Sequence, residues 1–261
     1  MIARGGIRVP SLRAIGLAAA VAVAAATGAS AASEDRRLLD DAEAAEYSSV
    51  GRVMIAGRGF CTGTLLTERL VLTAAHCLFD AQTGRPLPLR ALRFIRGGTG
   101  TGGARGSTVA RAAPAPDFRF EGRPAPEMVA IDVALLELDR PLPNVAAPFA
   151  IGRAGAQEDA LAIVGYERAR TETPSRRSAC PVREARSGVF VLACRVRRGG
   201  SGSPIFAGDG ADRRLVGIVS ASGSGRDGDL TLAVEIAAVL PLLREGLGEA
   251  AGLELAGALT K

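Results

Sequence analysis

His76 is the one histidine in 261 residues, and it closes the segment Leu70-Val71-Leu72-Thr73-Ala74-Ala75-His76-Cys77. An imidazole at the end of an apolar strand, beside a cysteine that a disulfide can pin, suits a general base, whose work depends on fixed geometry. Taken alone, the segment also fits a structural histidine. Asp132 lies inside Val129-Ala130-Ile131-Asp132-Val133-Ala134-Leu135-Leu136. A carboxylate in so apolar a run is costly to bury unless it is bonded. It could accept the Nδ1–H of an imidazole and stabilise the imidazolium formed in catalysis, or it could point to water from an edge strand. Ser201 stands in Gly199-Gly200-Ser201-Gly202-Ser203-Pro204. Glycines let bare backbone approach a substrate, so the N–H groups of Gly199 and Ser201 could converge on a developing oxyanion; a plain Gly/Ser turn is the alternative. Base, orienter and hydroxyl together are what nucleophilic acyl transfer requires.

The elements that must position these groups read as short strands. Val50 to Ile55, Gly63 to Thr73, Ala91 to Ile95 and Ser107 to Ala112 form a first set. A Pro-rich surface loop, Ala113 to Glu127, leads into the apolar run Met128 to Leu138, and Pro141 to Pro148 divides the chain into halves. Leu161 to Tyr166, Val189 to Cys194, Ser203 to Phe206, Leu215 to Ser220 and Leu230 to Ile236 form the second set. Ala237 to Leu247 has helical spacing, and Leu253 to Leu259 continues weakly as helix or tail. The pattern predicts a mostly β architecture. With 4% aromatic residues and no Trp, its core must rest on Ala, Val, Leu and Ile.

Cys61, Cys77, Cys180 and Cys194 are the only cysteines. An even count in an exported chain reads as two disulfides with three possible connectivities, and proximity favours Cys61–Cys77 and Cys180–Cys194. Each would close a loop of about 15 residues, roughly 3 kcal/mol in the chain-entropy model. No C-x-x-C is present and there is one histidine, so neither a metal nor an organic cofactor is expected. Gly97 to Gly103 contains G-x-G-x-x-G, but no helix pattern follows it, which argues against a dinucleotide.

Arg4, Arg8 and Arg13, the apolar stretch Ala14 to Gly28, and Ala29-Ser30-Ala31 make up a charged region, an apolar region and a small-residue cleavage site. Residues 1–31 therefore read as a secretory signal, which places the mature protein outside the cell or in the periplasm. Residues 32–49, acidic from Ser33 to Glu46, read as a loose arm. Removing the signal leaves 29 basic against 27 acidic side chains, a net of +2. No basic run interleaved with aromatics occurs, so nucleic acid is not an expected partner; nor is a membrane once the signal is gone. A monomer is the expected form.

Cys61-Thr62-Gly63-Thr64-Leu65, Thr73-Ala74-Ala75-His76-Cys77, Asp132-Val133-Ala134-Leu135-Leu136 and Gly199-Gly200-Ser201-Gly202-Ser203-Pro204 resemble the chymotrypsin/trypsin-like serine endopeptidases. The Gly-Ser-Pro ending resembles their bacterial, glutamyl-endopeptidase-like branch. The resemblance spans roughly residues 50 to 245. It implies an all-β fold of two perpendicular six-stranded antiparallel barrels, about 50–140 and 150–236, with a C-terminal helix at about 237–247. It also implies a secreted serine endopeptidase with His76, Asp132 and Ser201 as catalytic triad, an oxyanion hole at the Gly199 and Ser201 amides, and an acyl-enzyme intermediate. Relatives activated by proteolysis carry Asp just before the nucleophile, where this chain has Gly200, so activity is not expected to depend on exposing Val50 as a new N-terminus.

By the same resemblance Arg195 lies near the base of the substrate pocket, with Ser220-Ala221-Ser222 as its opposite wall. A cation there would favour acidic side chains, but Asp229 could neutralise it, or Arg195 could point to solvent. The pocket histidine of glutamyl-specific relatives is absent, which argues against that specificity. A catalytically silent double-barrel binder is the rival reading. A small-ester hydrolase of the α/β type is disfavoured because the glycine after Ser201 comes one position too early for G-x-S-x-G.

Overall fold

The computed structural model describes residues 36–97, 105–122, 125–143, 149–155, 158–168, 170–226 and 228–247. The signal segment, most of the Gly97 to Gly103 loop and the stretch Leu253 to Leu259 lie outside the described residues.

The arm expected to be loose is folded from Arg36 onward. Strand β1 (Arg36–Leu38) is followed by helix α1 (Asp41–Glu46). The helix starts at a capping box, in which the Asp40 carboxylate accepts the Glu43 amide and the Glu43 carboxylate accepts the Asp40 amide. Leu39 and Tyr47 bracket it and are both buried. Tyr47 sits with its ring 5.7 Å from Phe149 and 5.5 Å from Phe206. Acidic composition suggested a loose segment, but two buried anchors and a capped turn hold this one.

Strands β2 (Val50–Ile55), β3 (Gly59–Leu65), β4 (Leu70–Thr73), β5 (Leu92–Arg96), β6 (Gly106–Pro114) and β7 (Ala134–Leu138) close a barrel in the order β2-β3-β4-β7-β6-β5. Gly63 to Thr73, expected as one strand, is two. The chain turns between them because Thr67 Oγ1 accepts the amides of Arg69 and Leu70, at 3.2 and 3.0 Å.

The second barrel follows the short strand β8 (Ala150–Ile151). It consists of β9 (Ala160–Glu167), β10 (Arg170–Arg186), β11 (Val189–Leu192), β12 (Pro204–Ala207), β13 (Arg214–Gly225) and β14 (Gly228–Glu235). All ladders within it are antiparallel, and the ring closes because β10 pairs with both β11 and β9. β1 adds to β10 outside the ring, and β8 adds to β13 in parallel. The fold is thus two closed six-stranded antiparallel barrels. Helix α2 (Ile236–Leu247) buries Ile236, Val239, Leu240 and Leu243, a stripe at helical spacing, against β6, β7 and β13.

Apolar packing joins the barrels. One buried cluster runs from Val53, Leu72, Phe94 and Leu136 in the first barrel to Val164, Tyr166, Phe206 and Ile218 in the second. A smaller one fills the second barrel around Ile163, Phe190, Leu192 and Val219. The site residues lie along the seam that the first cluster crosses.

Candidate active site

His76 and Asp132 meet because β4 and β7 pair antiparallel, with Thr73 opposite Ala134. Each strand is flanked at that end by a tight turn. Past β4, the 3₁₀ turn Ala75–Leu78 carries His76, and Cys77 within it is bonded to Cys61 of β3. Before β7, the 3₁₀ turn Pro126–Ile131 ends at Asp132, whose amide donates to Val129 O at 3.2 Å. Asp132 is therefore not an edge-strand residue facing water. It is completely buried.

Three groups satisfy that carboxylate. The His76 amide donates to Oδ1 at 2.9 Å, His76 Nδ1 lies 2.7 Å from Oδ2, and Ser220 Oγ donates to Oδ2 at 2.5 Å. Burial pushes the Asp132 carboxyl up, but the His76 charge, its ring bond, the Ser220 hydroxyl and the His76 amide together hold it below the ordinary carboxylate range. An ionised carboxylate only accepts, so Nδ1 carries the ring proton and Nε2 keeps a lone pair. The Phe120 ring packs 6.1 Å from the imidazole centroid. With Phe118 it buries itself inside the segment expected to be a surface loop.

Ser201 comes to the same seam by backbone contacts. Thr62 N donates to Ser201 O at 2.8 Å, Gly202 N to Val219 O at 2.7 Å, and Ser203 N to Gly200 O at 3.0 Å. Gly202 holds φ +78°, and a β-carbon there would stand 2.2 Å from Thr62 O and 3.0 Å from Ala74 N. The turn after Ser201 is thus pressed against the residues that precede His76, with no room for a side chain. The amides of Gly199 and Ser201 donate to no protein acceptor among the described residues. Ser201 Oγ likewise makes no hydrogen bond there, so the contact to His76 Nε2 expected of a charged triad is not formed in this structure. Such bonds are often long before substrate arrives and tighten in the complex.

The Trypsin family model matches residues 40–243. The chain belongs to the trypsin family. No curated protein matches it.

Both disulfides of this trypsin-family chain pair as proximity suggests, Cys61–Cys77 and Cys180–Cys194. The pocket candidates are placed less simply. Arg195 is half-exposed, donating to Ser224 Oγ at 3.2 Å and lying 3.7 Å from Asp229 Oδ1, while Ser224 Oγ donates to the same Asp229 oxygen. Its charge is thus answered by Asp229 at the surface. Ser222 Oγ accepts the Val196 amide at 3.0 Å and donates to Leu230 O at 2.9 Å, tying β13 to the segment before the nucleophile. Ala221 is half-buried between them. Ser220, read from sequence as a pocket wall, spends its hydroxyl on Asp132.

Sequence reasoning missed Thr62 as a site residue. It is fully buried; its Oγ1 donates to Gly199 O at 3.0 Å and accepts the Tyr166 amide at 3.0 Å. One hydroxyl thereby ties the Gly199 peptide to the end of β9. Its place one residue after Cys61, in a segment read for its cysteine and its family resemblance, was the available signal.

Proposed function

We propose that this trypsin-family chain is a secreted serine endopeptidase that cleaves polypeptide through an acyl-enzyme. The observation that carries the reading is the double hydrogen bond between His76 and the buried Asp132. It fixes the imidazole in the tautomer whose Nε2 can take a proton, on the seam where Ser201 is held. His76 Nε2 removes the Ser201 hydroxyl proton as Oγ attacks the peptide carbonyl, and the tetrahedral oxyanion is met by the Gly199 and Ser201 amides. The C–N bond then breaks as His76 gives its proton to the leaving amine, and water repeats the sequence on the ester.

Asp132 stays ionised throughout, holding the ring and balancing the imidazolium. The Gly-Ser-Pro ending supports kinship with the glutamyl-endopeptidase-like branch but not its specificity, since Asp229 offsets Arg195 and the lone histidine is committed to Asp132. The protein acts as a monomer on polypeptide, without nucleic acid or membrane, after residues 1–31 direct its export and are removed. Activity does not await cleavage at Ser49–Val50. The Val50 amide donates to Tyr47 O at 2.8 Å within a continuous chain, and Val196 Cγ1 stands 2.2 Å from where a β-carbon at Gly200 would begin.

The rival reading, a silent binder, draws on the unmade Ser201–His76 bond. Fluorophosphonate labelling of the intact 32–261 chain separates the two. Labelling that Ser201→Ala abolishes supports the peptidase, no labelling supports the binder, and labelling only after cut at Ser49–Val50 would refute the activation reading.

A further inference from the structure

We propose that Arg36 and Glu167 are positioning residues for the nucleophile turn, which makes the N-terminal arm part of the active site's support. The proposal rests on the peptidase reading and adds to it the means by which the turn is held. Glu167 ends β9 and is 4% exposed. Its Oε1 accepts the Arg197 amide at 3.2 Å, and the next residue, Arg168, donates its amide to Arg198 O at 2.8 Å. The Gly200 amide returns to Arg197 O at 3.0 Å. The residues that lead into Ser201 are therefore hung from the end of β9 by two successive bonds, of which the first depends on a buried charge, and a third closes the segment on itself.

That charge needs a partner, because a buried carboxylate without one is strongly unfavourable. The nearest cation comes from the arm. Arg36 Nε lies 3.1 Å from Glu167 Oε2 and donates to Ser175 Oγ at 2.9 Å. Arg177 is further, with Nη2 3.8 Å from Oε1. Glu167, Ser175 and Arg177 line a small cavity together with Val196 and Ser203 of the nucleophile segment, and Arg36 is not part of that lining, so Arg36 acts on the turn through Glu167. With Arg36 gone, the carboxylate is drawn toward Arg177 and its hold on the Arg197 amide weakens.

The arm has other anchors, among them buried Leu39 and Tyr47 and the β1–β10 ladder, so Arg36→Ala should leave it docked. We expect this variant to lose about tenfold to a hundredfold in kcat, the scale of a small misplacement near a nucleophile, with KM little changed. Millimolar guanidinium should restore part of the loss in Arg36→Ala and none in Glu167→Gln. By hydrogen exchange the peptide spanning Arg197 to Ser203 should exchange faster in both variants, while β3 and β4 stay as in the parent. A folded Arg36→Ala with parental kcat and parental exchange at the turn, showing only a lower Tm, would overturn the proposal by making Arg36 a structural clip. Should the parent chain fail to label with fluorophosphonate, the peptidase reading falls alone, and the exchange comparison still decides for or against the positioning role.

Discussion

The two halves of the site are held by different physics. In the first barrel the His76 ring is fixed by side-chain bonding: a disulfide at the next residue and a buried carboxylate with three hydrogen bonds. In the second, the turn around Ser201 is fixed mainly by backbone, through amide–carbonyl bonds to Thr62, Val219 and Arg197 and by the lack of side chains where the turn meets β3 and β4, with the Thr62 hydroxyl and the Glu167 carboxylate holding the residues that lead into it. A base must have one tautomer and one direction, which only directed bonds impose. An oxyanion site needs unoccupied amides, so the turn must be held without using them. Losses in the bonds that fix His76 should therefore appear as chemistry lost in a stable fold, and losses in the close backbone packing around Ser201 as fold and chemistry together.

Asp132→Asn is the largest test of that distinction. The amide can donate where the carboxylate only accepted, so it favours the wrong ring tautomer, and kcat should fall by about 10⁴ with the fold intact. Steady-state kinetics beside a thermal melt checks this, and a loss under tenfold would mean that Ser201 does not rely on His76. On the other side, Gly202→Ala places a β-carbon 2.2 Å from Thr62 O at φ +78°. We expect about 3 kcal/mol of destabilisation, a fall of roughly 6–12 °C in Tm for a chain this size, accompanied by loss of activity. An unchanged Tm with reduced kcat would erase the contrast.

Ser220→Ala should cost less, because it removes one of three bonds to Asp132. The two bonds from His76 remain, so about 1.4 kcal/mol of transition-state stabilisation is lost, around tenfold in kcat, while Tm moves little. The variant also has a pH signature. Asp132 is held below its ordinary value partly by that hydroxyl, so the ionised form survives acidification that would protonate a typical carboxylate. With Ser220 removed the carboxyl rises, so the stability that the ionised form contributes is lost at higher pH, and the acid limb of the Tm profile should shift to higher pH. An unshifted limb would detach Ser220 from Asp132.

Most of this site was legible in the sequence because it is built from rare types in marked settings. One histidine and one carboxylate within an apolar run meet in the fold, and the serine among glycines stands on a turn pressed against the residues before that histidine. What was not legible depends on tertiary partners. β10 carries Arg176, Arg177, Arg183 and Arg186 without clean alternation, and it is a strand because β9, β11 and β1 supply its ladders. Asp132 sits on a turn, not a strand, because the 3₁₀ segment Pro126–Ile131 absorbs the run's first half. The arm was misread on charge, although Asp40 and Glu43 stand at capping-box spacing and Leu39 and Tyr47 flank them. Thr62 and Glu167 look ordinary until the second barrel closes on them.

The arm also offers the gentlest probe, since two of its charge pairs differ in burial. Glu43 is half-exposed and held down to about 2, first by its side-chain bond to Arg37, which outweighs an opposing effect of burial, and then by the Asp40 amide. A depressed carboxyl stabilises the folded form fully above its ordinary value, 4.5, and loses that contribution as pH falls through about 2. Being exposed, the pair is screened by salt and its effect is small. Glu167 is buried against Arg36 and answers little to ionic strength. Added salt at pH 3 should therefore speed amide exchange in Ala44 to Tyr47 while leaving the Arg197 to Ser203 peptide unchanged. If both segments respond alike, the arm and the nucleophile turn move as one unit, and the separation between a clip at Glu43 and a strut at Glu167 is lost.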